Sequence, residues 1–328
     1  MGRRGRERAP RWRRGGTWGA IGALAGIGAT LALVAPGHAA GDPDAAPDGP
    51  ARPIELEVEV AGLVRRALVV TPPVHSPHPG RRPPILVVLH GVGGRGADLR
   101  SLGFEELAAG QGVVVAYPDA WRGSWNDGRP GLDPASAADA TDDVAFVGAL
   151  VRELGDAVGA DTSRVAVAGF SNGALMTGRL ACESPDGLVA VALVAGTVGQ
   201  GFETGCRPSR PLPVMVVAGT GDGIVPYDGG RIADFAGRAR GRVAAVDDFL
   251  AFWSAAGRCG APTSAVVPAA IAVSRVDAGG CAPGAALRHY RVEGGGHEWY
   301  RVGGFDTTGA IWEFVAPWLE GTGHGGRS

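Results

Sequence analysis

The sequence predicts an α/β protein built on a mostly parallel sheet. Short apolar segments typical of buried strands alternate with longer segments whose apolar residues recur at helical spacing. The strand-like segments are PILVVLH, VVVAYP, RVAVAGF, LVAVALVAG, PVMVVAG and LRHYRVEG. Because strands composed almost entirely of Val, Ala and Leu are usually buried on both faces, we expect parallel strands with helices on both sides of the sheet.

Two further patterns complete the predicted domain. IELEVEV alternates with period two and RRALVVTP follows a short turn, which predicts an N-terminal antiparallel hairpin. The helix-like segments are DLRSLGFEELAAG, ATDDVAFVGALVRELGDAVGA, NGALMTGRLACE, VAAVDDFLAFWSAAG and TTGAIWEFVAPWLEG. No repeat or second domain is visible, so we expect residues 54–321 to form one domain and residues 322–328 a flexible tail.

The first 40 residues have the pattern of an export signal peptide. Seven arginines and one glutamate precede an uncharged stretch rich in alanine and glycine, and small residues follow at APGHAA. We therefore expect cleavage near Ala39 or Ala40 and a secreted, extracellular protein without a stable membrane span. An uncleaved anchor over residues 17–35 is the alternative, because 19 apolar residues are marginally long enough to cross a bilayer. The pair Arg13-Arg14 leaves twin-arginine export open beside the general pathway.

The composition of the chain after the predicted signal peptide limits the kinds of molecule that it could bind. Residues 41–53, GDPDAAPDGPARP, offer almost nothing to bury and are predicted to be a disordered linker. The whole chain has a formal net charge of −2, and removal of the arginine-rich signal leaves a more acidic chain. Since a negative surface repels phosphate backbones, nucleic acid is not expected as a partner.

Four cysteines follow the signal peptide, and we expect them to form structural disulfides. No C-x-x-C pair is present for zinc or redox chemistry, and no metal is predicted. Three pairings are open. We favour Cys182 with Cys206 and Cys259 with Cys281, because each pair encloses a loop-rich segment with Pro and Gly, and closing it would contribute about 3 kcal/mol.

The stretch RVAVAGFSNGALMTGRLA carries the strongest chemical signal. Gly169, Ser171 and Gly173 form G-x-S-x-G between a predicted strand and a predicted helix. A nucleophilic serine needs this setting, because it sits on a strained strand-to-helix turn where flanking side chains would clash. The alternative is an incidental serine in a glycine-rich turn, since the chain has 56 glycines.

A serine nucleophile needs a general base, and His297 fits this role best among the seven histidines. It follows three glycines on a loop after the last predicted strand, where the backbone can turn sharply. His289 lies inside that strand, where a packed imidazole is expected, and we expect His90 to support a glycine-rich loop.

The third member should be an acid that fixes the histidine tautomer and stabilises the imidazolium. Asp222 comes directly after the strand PVMVVAG, so the strand end would give its carboxylate a fixed position. Asp228 follows in the same loop. The later alternatives lie in a predicted helix and an apparent insertion: Asp247, Asp248 and Asp277.

Six motifs in a fixed order extend this pattern over residues 54–320: VVLHGVGG, AYPDAW, DDVAFVGALV, VAVAGFSNGALMTGRLACESPD, GTGDGIVPYDGG and GGGHEW. In these motifs the chain resembles the secreted polyhydroxybutyrate depolymerase and feruloyl esterase family of α/β-hydrolases. The resemblance implies that fold, the triad Ser171, Asp222 and His297, and ester hydrolysis through an acyl-enzyme without a cofactor. It also implies cysteines near the four observed positions. Tyr300 departs from the family, which usually has a proline after the tryptophan.

The glycine-rich loop LHGVGGRG admits two interpretations. Its glycines match the G-x-G-x-x-G pattern of a dinucleotide-binding turn, which would suit a nicotinamide-dependent oxidoreductase. Two observations oppose this interpretation. Export would separate the protein from the cytoplasmic pool of the cofactor, and the glycine pattern does not lie in the first βαβ unit, where a dinucleotide-binding domain has it. In the hydrolase interpretation the loop gives one oxyanion donor, the backbone N–H of Val92, beside the N–H of Asn172.

Substrate contacts are predicted at tryptophans on loops near the carboxyl edge of the sheet: Trp121, Trp125 and Trp299. These rings favour feruloyl or related plant cell-wall esters, whereas hydroxybutyrate oligomers, acetylxylan and other small esters remain alternatives. Each tryptophan could instead anchor its loop. A non-catalytic binding protein on the same fold is the other alternative. Such a protein would lack a member of the triad, whereas this chain has all three.

Overall fold

The computed structural model describes residues 53–73, 80–131, 141–183, 185–233 and 239–323. The predicted signal peptide lies outside the described residues, as do the predicted linker up to residue 52 and the last five residues of the predicted tail. Across the described ranges, no helix has both the length and the apolar character needed to cross a bilayer.

Most strands of the structure belong to one large sheet. Its order is β1-β2-β4-β3-β5-β6-β7-β12-β11-β10, and two short ribbons, β8-β9 and β13-β14, lie apart from it. The strands are β1 Ile54–Val60, β2 Leu63–Val70, β3 Ile85–Leu89, β4 Val114–Pro118, β5 Val165–Phe170, β6 Leu188–Val194, β7 Pro213–Gly219, β8 Gly230–Ala233, β9 Ala239–Val243, β10 Pro262–Val267, β11 Val273–Ala278, β12 Ala286–Val292, β13 Arg301–Val302 and β14 Phe305–Asp306.

Helices cover both faces of the sheet. They are α1 Phe104–Ala109, α2 Asp143–Val158, α3 Asn172–Glu183, α4 Val246–Ala256 and α5 Thr307–Glu320. One face packs against α2, α3 and α4 and the other against α1 and α5, which gives two separate apolar cores. β3, β4 and β7 are completely buried between these layers. The predicted α/β class, with parallel central strands and helices on both faces, is confirmed.

The strand directions follow the sequence patterns. Strands β4, β3, β5, β6, β7 and β12 pair in parallel, as their continuous apolar character predicts. β1 and β2 form the predicted antiparallel hairpin at one edge. At the other edge β10 and β11 add two antiparallel strands that the sequence patterns did not predict. β10 is solvent-exposed along almost its whole length, so it lacks the apolar alternation that marks a strand.

The two disulfides have the favoured pairing. Cys182 at the end of α3 is bonded to Cys206, and both cysteines are buried. Cys259 is bonded to Cys281, which closes the base of the β10-β11 hairpin. The first bond therefore lies in the core, whereas the second ties down an exposed edge of the sheet.

We expect the two disulfides to differ in their contribution to stability. The closed loops have similar lengths, with sequence separations of 24 and 22, so chain entropy gives each about 3 kcal/mol. The variant Cys182→Ala/Cys206→Ala also loses core packing, so its free energy of unfolding in urea should fall further than that of Cys259→Ala/Cys281→Ala. An equal or smaller loss at the buried bond would contradict this expectation.

Candidate active site

Ser171 lies on a strained turn between β5 and α3. Its φ is +57°, in the left-handed region that non-glycine residues rarely adopt. A Cβ atom at Gly169 would overlap the carbonyl of Gly173, and one at Gly173 would overlap the carbonyl of Leu89. Both glycines are therefore required for the helix to start this close to the strands, as the G-x-S-x-G pattern predicts.

The three residues predicted to act together are in contact. His297 Nε2 lies 2.8 Å from Ser171 Oγ, and His297 Nδ1 lies 2.7 Å from Asp222 Oδ2. With a proton on Nδ1 donated to the carboxylate, Nε2 is free to accept the serine hydroxyl proton. Only 2% of the Asp222 side chain and 12% of the His297 side chain are exposed, so water screens these contacts weakly.

Asp222 is fixed by the backbone that follows it. Its Oδ1 accepts hydrogen bonds from the amides of Ile224 and Val225, at 2.8 and 2.9 Å. These bonds leave Oδ2 directed at the imidazole. Among the alternative acids in the sequence, Asp228 is exposed, and Asp247 accepts the hydroxyl of Tyr227.

The loop that carries His297 is supported by Tyr300. The buried Tyr300 hydroxyl donates a hydrogen bond to the carbonyl of Gly296 at 2.6 Å. Burial raises the pKa of Tyr300 to about 12, so the hydroxyl remains a donor. The amide of Gly221 also donates to the carbonyl of Gly295 at 2.9 Å, which joins this loop to the Asp222 loop. The residue that replaces the usual proline therefore holds the histidine loop in place.

The glycine-rich loop packs against the serine. A Cβ at Gly91 would lie 3.2 Å from Ser171 Cβ, and the amide of Gly93 donates to the carbonyl of Gly123 at 2.7 Å. His90 holds the loop through both ring nitrogens, because Nδ1 lies 2.7 Å from the carbonyl of Gly91 and Nε2 accepts from the amide of Ala120. Burial lowers the pKa of His90, which favours the neutral ring that these two bonds require.

The side chain of Asn172 joins the serine turn to the loop at residues 121–131. Its Oδ1 accepts the amide of Trp125 at 2.7 Å, and its Nδ2 donates to Asp127 at 2.6 Å. Asp127 is fully buried and pairs with Arg129 at 2.8 Å. Burial raises the pKa of Asp127, and the positive charge of Arg129 opposes that shift. The sequence analysis gave Asn172 a role only through its backbone N–H, as an oxyanion donor. The spacing of Asn172 and Asp127 along the chain does not indicate that their side chains are bonded.

The tryptophans differ in their accessibility. Trp125 is completely buried, and its Nε1 donates to the carbonyl of His90 at 2.8 Å. It offers no surface to a substrate, so the prediction that Trp125 contacts substrate is wrong. Trp125 instead anchors its loop, which was the alternative interpretation. Trp299 is half-buried, and its ring lies edge-on to Phe170, 6.2 Å between centroids. The Phe170 ring in turn lies 5.1 Å from that of His297, so Trp299 is close to the predicted site.

His289 and the glycine pattern of the loop at residues 89–96 have structural rather than chemical roles. His289 is buried in β12, where burial lowers its pKa to about 4 and the ring packs near Tyr227. In the glycine-rich loop, a Cβ at Gly96 would overlap the backbone of Tyr117, so close packing accounts for this glycine. Within the described ranges, no group of three His, Cys, Asp or Glu side chains could hold a metal ion.

The sheet order, the serine turn and the adjacent histidine and aspartate define the architecture of an α/β-hydrolase. The solved acetyl xylan esterase from Aspergillus awamori has the same fold, with a TM-score of 0.51 and 15% sequence identity over 77% of this chain and 94% of that one. No protein-family model matches the chain.

A relative of higher identity shows the family. The chain is 32% identical to the putative esterase NocK of Nocardia uniformis subsp. tsuyamanensis over 254 residues, 74% of this chain and 73% of that protein. It is 30% identical to feruloyl esterase B of Piromyces equi over 154 residues, which are 45% of this chain and 27% of that protein. The chain belongs to this esterase family of α/β-hydrolases and is a carboxylic ester hydrolase.

We expect the hydroxyl of Tyr300 to influence turnover. Tyr300→Phe removes the donor to the Gly296 carbonyl, which should cost about 1–2 kcal/mol of stability and lower kcat more than it raises KM, because the histidine loop is loosened. Tyr117→Phe is the matched control, since the Tyr117 hydroxyl is buried and has no hydrogen-bond partner. Steady-state kinetics and urea unfolding measure both effects. Equal kcat in the two variants would rule out this role for Tyr300.

Proposed function

We propose that Ser171, His297 and Asp222 form the catalytic triad of a secreted serine esterase. The observation that carries the proposal is the single imidazole of His297 lying 2.8 Å from the serine oxygen and 2.7 Å from the aspartate oxygen. Such an arrangement activates a hydroxyl that is otherwise a weak nucleophile near neutral pH. The strained φ of Ser171 supports the same role.

The reaction proceeds by two acyl transfers. Ser171 Oγ attacks the ester carbonyl while His297 Nε2 takes its proton, and the alcohol leaves with that proton as the acyl-enzyme forms. Water then gives a proton to His297 and attacks the acyl carbon, and the proton returns to Ser171 as the acid departs. The Asp222 carboxylate accepts the Nδ1 proton of His297 and stabilises the imidazolium.

The oxyanion is held by the backbone N–H groups of Val92 and Asn172. Support for Val92 comes from Gly91, which packs against Ser171 and brings the next residue close to the serine. Asn172 is the first residue of α3, where free N–H groups and the helix dipole favour negative charge. Loss of one such donor typically costs about 3 to 4 kcal/mol of transition-state stabilisation.

The proposed substrates are acyl esters of plant cell-wall polysaccharides. Relatives named feruloyl esterase and acetylxylan esterase support this class, and the Trp299–Phe170 pair beside His297 could contact an aromatic acyl group. Hydroxybutyrate oligomers are the second candidate, because the motifs resemble the depolymerase family. The signal-peptide pattern and the two disulfides support an extracellular location.

A fluorophosphonate probe tests the proposed nucleophile. We expect the folded protein to be labelled once, at Ser171, with no labelling and no ester hydrolysis in Ser171→Ala. Ser101→Ala is the matched control, because Ser101 is exposed on a short helical turn and donates only to a backbone carbonyl. Peptide mapping by mass spectrometry locates the adduct. A folded wild-type protein that resists the probe, or a Ser171→Ala variant that keeps full activity, would refute the triad.

The aromatic contact is tested by comparing acyl groups. We expect Trp299→Ala to lower kcat/KM for methyl ferulate about three- to tenfold more than for 4-nitrophenyl acetate, as the loss of one ring contact predicts. Trp299→Phe is the control, because it keeps a ring but removes the indole donor to Thr308. Assays on acetylated xylan and hydroxybutyrate oligomers compare the two candidate classes. An equal loss on both small esters would show that Trp299 does not contact the acyl group.

A further inference from the structure

The β8-β9 ribbon lies beside the loops of the proposed site. The amide of Arg242 in β9 donates to the carbonyl of Pro130 at 3.0 Å, at the end of the loop that Asn172 holds. The carbonyl of Arg242 accepts the amide of Gln200 at 3.1 Å, in the segment that follows β6. The ribbon is therefore attached at the carboxyl edge of the main sheet, the same edge that carries Ser171 and Asp222.

The inner face of the ribbon is packed against the aspartate loop. Ile232 and Val243 are buried, and they form a small apolar cluster with Leu175 of α3 and with Val225. Val225 is one of the two residues whose amides hold the Asp222 carboxylate. The ribbon thus has a fixed position relative to the proposed triad.

The outer face of the ribbon carries exposed arginines: Arg231, Arg240 and Arg242. Arg231 is directly opposite Arg242 in the strand register, and like charges in such a pair destabilise a ribbon. Arg242 donates a hydrogen bond to the neutral side chain of Gln200, which carries no charge to offset that of the guanidinium group. Among the residues that the structure describes, no carboxylate forms an ion pair with Arg231 or Arg242.

From this arrangement we propose that Arg231 and Arg242 bind the carboxylate groups of an acidic polysaccharide that carries the ester. The proposal rests on the proposed esterase function and specifies its substrate class. A guanidinium group binds a carboxylate through two parallel hydrogen bonds, and two adjacent guanidinium groups relieve their repulsion by binding anions. Although the chain as a whole has a net charge of −2, the two adjacent guanidinium groups form a local positive surface, and such a surface attracts and orients a negatively charged polymer.

Acetylated glucuronoxylan tests the proposal, together with the same polymer after enzymatic removal of its glucuronate groups. We expect the wild-type protein to have a lower KM for the acidic polymer. Arg231→Gln/Arg242→Gln should remove this difference by raising that KM about tenfold, the loss expected for two exposed charged contacts. Sodium chloride at about 0.5 M should have the same effect on the wild type, because salt screens exposed charges.

Three controls make the outcome specific. Arg66→Gln removes an exposed arginine from β2, at the distant edge of the sheet, and should keep the preference. Arg231→Lys/Arg242→Lys keeps both charges and should keep most of the preference for the acidic polymer. This variant still tests the proposal if the glutamine variant fails to fold. Affinity electrophoresis of Ser171→Ala through glucuronoxylan measures binding without hydrolysis, so a failure of the esterase proposal is distinguished from a failure of this one. Equal retention by the acidic and neutral polymers, or by the glutamine variant and the wild type, would overturn the proposal.

Discussion

The close approach of α3 to the central strands is the constraint on which the site depends. The helix can begin at Asn172 only because Gly169 and Gly173 have no side chains to collide with neighbouring carbonyls. This approach forces Ser171 into a left-handed conformation and raises its hydroxyl above the sheet edge. The strain is local and costs of order 1–3 kcal/mol, which the buried strands on both sides can offset.

Buried polar groups then fix the surrounding loops to that turn. Asn172 and Asp127 hold the loop at residues 121–131, and Arg65 and Asp143 form a second buried ion pair beneath it. The Arg65 guanidinium also lies 3.5 Å from the centre of the Phe146 ring. Burial lowers the pKa of Arg65, while the charge of Asp143 opposes the shift. Because an unpaired charge at either position would be costly, these loops have little freedom to rearrange.

Local patterns in the sequence were sufficient for the central architecture. Fully buried strands such as β3 and β7 consist of consecutive apolar residues. Each active-site candidate lies within three residues of the end of a strand or of a glycine run. The order of these elements along the chain was enough to select Ser171, Asp222 and His297 for one site. The structure brings Asp222 and His297 together because β7 and β12 are parallel neighbours, and the loop after β12 carries the imidazole to Ser171 at the end of β5.

Features that depend on tertiary contacts had no such signal. β10 was not anticipated because it is exposed along almost its whole length and, unlike the alternating edge strand β1, its residues PTSAVV show no alternation of apolar and polar side chains. Trp125 gave a misleading signal, since an aromatic residue in a polar loop resembles a ligand contact until its burial beneath the loop is known. The side-chain role of Asn172 depends on Asp127, which is remote in sequence and has no recognisable spacing to it.

The position of the proposed triad within the sheet separates it from the parts of the fold that open first. Ser171, Asp222 and His297 follow β5, β7 and β12, whereas the antiparallel hairpins β1-β2 and β10-β11 form the two ends of the sheet. Terminal hairpins fray more readily than buried central strands. The disulfide at the base of β10-β11 limits this fraying at the end nearer to His297. Local unfolding at the ends of the sheet can therefore occur while the esterase remains competent, and heat inactivation would follow the opening of the central strands.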